Sequence, residues 1–146
     1  AVAVGLPALL MPATALAQAG QPQPEEKVDA TLKRLFGDRP MKDAGETVKL
    51  DIPLIAENGS AVPVSVEVNV PSTPEKYVKE IYIIADKNRR PMSAKFSFTP
   101  EAGQAYVGTN LRLGGSTDVR AIVEMNDATL LMAKRAVKVT VGGCGG

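Results

Sequence analysis

The single cysteine of this 146-residue chain, Cys144, sits in its last few residues, between Gly142-Gly143 and Gly145-Gly146. A thiolate is a strong nucleophile and a good covalent handle. The tail places no base or cation beside it, so the sulfur is set out to be worked on by others, not to catalyse alone. Glycine loses more conformational freedom on ordering than any other residue, which predicts a mobile pentapeptide. At ~3.3–3.6 Å per extended residue, three residues carry the thiol about 10 Å past the preceding strand. An arm with no other side chain can thread a narrow channel that bulky flanking residues would block.

Other chemistry is scarce. The chain has no His, which excludes Ser-His-Asp and Cys-His nucleophile pairs and every His-containing zinc site. One Cys makes no Cys-rich metal site, no internal disulfide and no CxxCH haem attachment. Neither GxGxxG nor GxxxxGK[ST] occurs, so no phosphate-cradling loop is expected. Carboxylates remain. Asp86 and Glu124 could be imagined as an acid–base pair, but carboxylates at strand ends are usually solvated surface groups. A net charge of +1 and the absence of Trp give no reason to expect nucleic acid or an anionic membrane as partner.

The first residues read AVAVGLPALLMPATALAQA. The run is uncharged, apolar and rich in small residues. It closes on Ala15-Leu16-Ala17, an A-x-A pattern, with Ala17-Gln18-Ala19 as a second candidate. Residues 1–17 are therefore expected to be part of a secretory leader, cleaved near Ala17, whose start is missing from the sequence. The alternative is a membrane anchor, but Pro7 and Pro12 interrupt a run already marginal for the ~20 apolar residues a span needs. Export implies a periplasmic or extracellular protein. A lone thiol in such an oxidising compartment is readily lost to disulfides or capping, so it needs a reason to be there.

The elements that must position the tail follow. Residues 18–46 read as a polar linker and one amphipathic helix. Val28, Leu32, Leu35 and Phe36 share a face, Gly37 fits the C′ position and Pro40 marks the stop. The helix is expected to pack on its own domain. From Thr47 the period changes to two. TVKLDIPLIA and AVPVSVEVNV alternate on either side of Asn58-Gly59, a strong hairpin signal. Pro53 and Pro63 give both strands an edge or irregular portion. YVKEIYIIAD, MSAKFSFTP, QAYVGTNLRL, DVRAIVEMN and ATLLMAKRAVKVTV continue the set, with Gly114-Gly115 and Asn126-Asp127 as turns. About seven evenly spaced strands over residues 47–141 predict a mainly β, immunoglobulin-like antiparallel sandwich. It carries one N-terminal helix, and the arm is residues 142–146.

With the leader, the β domain and the VTVGGCGG end in hand, the chain resembles the SoxY family, sulfur-carrying subunits of the periplasmic thiosulfate-oxidising Sox system. The likeness covers the whole chain after the leader, and the GGCGG end is its most specific element. It implies that Cys144 is a covalent attachment site and that Gly142, Gly143, Gly145 and Gly146 form its arm. It further implies a heterodimer with SoxZ and passing encounters with SoxXA, SoxB and SoxCD, which load thiosulfate, release sulfate and oxidise the remaining sulfur. The chain itself would be a non-catalytic carrier, with no cofactor or metal beyond the sulfur held on Cys144.

Three other functions compete. A structural protein could dimerise through a Cys144 disulfide. A ubiquitin-like sulfur carrier uses a terminal Gly-Gly as a thiocarboxylate, but that chemistry is cytosolic and ATP-dependent, against the leader. An independent enzyme would have to work with carboxylates alone.

Overall fold

The computed structural model describes residues 23–144 and 146. The expected leader, 1–17, and the first part of the linker lie outside them. The expected sandwich is present. Along the chain come α1 (Val28–Phe36), β1 (Met41–Asp43), β2 (Val48–Asp51), β3 (Ile55–Asn58) and β4 (Val62–Val68). They are followed by β5 (Val78–Ala85), β6 (Met92–Ser97), a 3-10 turn (Pro100–Ala102), β7 (Ala105–Leu111), β8 (Thr117–Met125) and β9 (Leu130–Val141).

Two sheets form. The larger runs β1-β9-β8-β5-β6, with β3 also on β9, and the smaller runs β2-β4-β7. The alternating valines of β4 dictate its place in the smaller sheet. Val62, Val64, Val66 and Val68 are all buried, because successive side chains of a strand point to opposite faces. They meet Ile81 and Ile83 of β5, Val119, Ala121 and Val123 of β8, and Val137 of β9 in one core between the sheets.

The helix closes the outer face of the larger sheet. Its apolar stripe, Val28, Leu32, Leu35 and Phe36, packs on Tyr82, Ile84, Ile122 and Leu130. Phe36 and Tyr82 meet edge-to-face, with ring centroids 4.9 Å apart, a favoured aromatic geometry. Gly37 ends the helix at φ 63°, and its N–H donates to the Lys33 carbonyl. At the other end Glu26 accepts from Thr31 Oγ1 and from both Nε and Nη2 of Arg34. The guanidinium pulls the Glu26 carboxyl down to about 2.

Three details differ from the expectation. TVKLDIPLIA is not one strand. It breaks after Asp51 around Pro53, which has no ladder N–H; β2 stays in the smaller sheet and β3 joins the larger. Asn58-Gly59 is accordingly not a hairpin turn, since β3 pairs with β9 and β4 with β2 and β7. Gly59 lacks the positive φ that a type I′ turn demands. Finally, β9 carries two parallel partners on one side, β1 at Met41–Asp43 and β3 at Ile55–Asn58, inside an otherwise antiparallel fold.

Candidate functional site

The site begins where β9 ends. Val139 N–H donates to Ser116 Oγ at 2.9 Å, and Gly59 N–H donates to the Val141 carbonyl at 2.7 Å. These bonds hold the last strand residues against the β3–β4 crossover and the β7–β8 loop. Beyond Val141 the chain does not run straight out from the sandwich. Gly143 N–H donates to the Leu113 carbonyl at 2.8 Å, and Leu113 N–H donates to the Gly59 carbonyl at 2.7 Å. The tail thus lies against the end of the domain, where an extended tether was expected. Backbone bonding explains the difference: with no side chains to hold them apart, the tail and loop main chains approach closely.

The loop under the tail is itself fixed. Leu113 is fully buried in the core. Asn88 is buried too; its Nδ2 donates to the Arg112 carbonyl at 2.7 Å, and its Oδ1 accepts from Gly114 N–H at 3.2 Å. A buried amide satisfied on both sides makes a firm clamp. Arg112 Nη1 reaches to 3.5 Å from the Cys144 carbonyl oxygen. Cys144 remains a free, exposed cysteine. Of the predicted arm, Gly142, Gly143 and Gly146 are in place beside it, and Gly145 lies outside the described residues.

The imagined carboxylate pair is not brought together. Asp86 and Glu124 mark positions about 20 Å apart along β8, from Asp118, which bonds Asp86 N–H, to Glu124, at ~3.3 Å per residue. Nor are they solvated surface groups. Asp86 takes both Nε and Nη2 of Arg120 at 2.8 Å, and its carboxylate raises Arg120 above the usual guanidinium range. Glu124, 9 % exposed, pairs with Arg39 at 2.7 Å. Both side chains are largely covered, at 12 % exposed each, and burial of a carboxylate demands a cationic partner.

Among the described residues, no three His, Cys, Asp or Glu side chains converge as metal ligands. No described helix is long and apolar enough to cross a membrane. Gly59, Arg112, Leu113 and Gly114 touch the arm and Asn88 holds their loop; the sequence marked none of them as part of a site. Two of them sat inside Gly-containing pairs that read simply as turns.

The model of the family described as Sulfur oxidation protein SoxY matches residues 32–144, from the helix to the cysteine. This chain belongs to the SoxY family. A similar solved structure is the sulfur carrier protein SoxY from Chlorobium limicola f thiosulfatophilum. It shares 30% identity and a TM-score of 0.65, over 79% of this chain and 97% of that one. A superoxide reductase (neelaredoxin) from Ignicoccus hospitalis is similar at 24% identity and TM-score 0.57, over 64% of this chain and 80% of that one. A putative superoxide reductase from Thermotoga maritima has 15% identity and the same TM-score, over 69% and 93%. The reductase likenesses speak for the sandwich fold alone. No curated protein matches the sequence. For a SoxY-family chain the setting is sulfur oxidation and the role that of a carrier.

Proposed function

We propose that this SoxY-family chain is a periplasmic covalent sulfur carrier and that Cys144 is its attachment point. The observation that carries the reading is an exposed thiol on a glycine-only tail, in a chain whose family match ends on that residue. Loading joins the Cys144 sulfur to the outer sulfur of thiosulfate. A proton leaves the thiol and an electron pair passes to the haem enzyme SoxXA, giving a cysteine S-thiosulfonate. SoxB then adds water across the terminal S–S bond. Sulfate and a proton depart, and a persulfide stays on Cys144. SoxCD oxidises that outer sulfur, with water as the oxygen source and its own centres taking the electrons. A second hydrolysis returns the thiol.

The chain's contribution is presentation. Its arm glycines let the cargo reach the partners' active sites, and SoxZ is its heterodimeric partner. A continuously occupied adduct also caps a thiol that an oxidising compartment would otherwise consume. Incubation with thiosulfate and the partner enzymes, followed by intact-mass measurement, tests the reading. A sulfur adduct on Cys144, absent in Cys144→Ala, is the expected result. A quantitative Cys144 disulfide dimer that never acquires sulfur would favour the structural alternative.

A further inference from the structure

The end of the sandwich is fitted to its own tail by glycines that belong to the body of the domain. A Cβ on Gly114 would have as its three nearest atoms the oxygen, carbonyl carbon and Cα of Gly146, at 2.7, 3.0 and 3.5 Å. A Cβ on Gly143 would stand 2.7 Å from the Gly59 oxygen and 2.8 Å from Ser60 Cα. One on Gly142 would be driven into the Gly114 oxygen, and one on Gly59 into the Leu113 oxygen, with Gly143 N 2.9 Å away. Neighbouring Gly115 has nothing within 4 Å of where its Cβ would be. At Gly114 the crowding comes from the tail alone, and at Gly59 from the Leu113 loop and the tail together. Gly59 and Gly114 also lack positive φ, so backbone conformation does not account for glycine at either position. Close approach of another main chain does.

We infer that the Gly59 crossover and the Leu113-Gly114 loop form a docking site for this chain's own C-terminal segment, from which the arm must be released to deliver its cargo. The docked arm is pinned on both sides of the cysteine. Gly143 N–H is held by Leu113, and Gly146 packs on Gly114. Cys144 is exposed but held at the domain surface, short of the about 10 Å that a released, extended arm would span. A few backbone hydrogen bonds oppose the large entropy of several glycines, so docked and released forms interchange readily. The requirement for release rests on the carrier reading; the docking itself does not. Asn88 acts here as a positioning residue, through the loop it clamps.

The test uses the full chain with a nitroxide attached at Cys144, and hydrogen exchange at the Gly143 amide. Gly114→Ala is the decisive variant because the atoms nearest its new methyl are the tail's, and Gly115→Ala is the control. The wild type and Gly115→Ala should show a partly immobilised label and a protected amide. Gly114→Ala should free the label and speed Gly143 exchange by at least about tenfold, with unchanged exchange in the core strands. Hydrolysis of the loaded arm by the partner enzyme should then be faster in Gly114→Ala, since the docked fraction no longer subtracts from the competent one. A fast isotropic label and an unprotected Gly143 in the wild type would overturn the docking site, as would identical behaviour of the two variants. Slower or unchanged hydrolysis would overturn the need for release. If the arm is docked but no variant ever takes up sulfur, docking stands and the carrier reading falls.

Discussion

Leu113→Ala probes how the site is built into the fold. Leu113 is fully buried, while its main chain bonds both the Gly59 crossover and the Gly143 amide of the tail. Truncation removes three carbon atoms from a packed core and leaves a cavity, which for buried Leu→Ala costs about 2–5 kcal/mol. A value of about 3 kcal/mol is expected, because the loop around Leu113 is open on its solvent side and can partly collapse. At roughly 4 °C per kcal/mol for a domain of this size, the melting temperature should fall by about 12 °C. Leu113→Met conserves volume and should cost less than about 1.5 kcal/mol. Urea denaturation measures both variants, with the slope against denaturant expected to stay at the wild-type value. A loss under about 1 kcal/mol for Leu113→Ala would refute the idea that the arm's seat is anchored in the core.

The remaining predictions concern ion pairs. Asp86→Asn strips Arg120 of its carboxylate beneath largely covered surface and should cost about 3 kcal/mol. Asp86→Leu with Arg120→Met should recover most of that loss in the same denaturation assay, and failure to recover would show that packing and not unpaired charge sets the cost. For Glu26 the folded-state value of about 2 lies below its ordinary 4.5. Its contribution is thus present above pH 4.5 and lost as pH falls from there toward 2. The melting difference between wild type and Glu26→Gln should shrink across that window, and a constant difference would show that the Arg34 pairing does not set it.

The sequence made the outline legible because strand alternation and helical periodicity are direct images of burial. The valines of β4 and the Val28–Phe36 stripe could be read straight into the core. Crossovers were not legible. Asn58-Gly59 carries the composition of a hairpin, yet which sheet each flanking strand joins is decided by Pro53 and by contacts with β9, far away in sequence. Asp86 and Glu124 misled for a related reason, since their arginine partners, Arg120 and Arg39, become neighbours only through strand pairing and the chain that crosses after α1. The cysteine and its glycines were visible at once, because no ordinary structural role asks for that pattern. The seat beneath them was not, because a glycine needed for close approach looks, in sequence, like a glycine needed for a turn.

Whether Cys144 carries sulfur is decided by intact-mass measurement of the chain purified from its native host during growth on thiosulfate. A carrier should show a population of masses above that of the bare protein by whole sulfur or sulfonate units. They should collapse to the bare mass on reduction and map to the Cys144 peptide. A chain that stays unmodified throughout such growth, or whose adduct maps to the terminal carboxylate, would contradict the carrier reading.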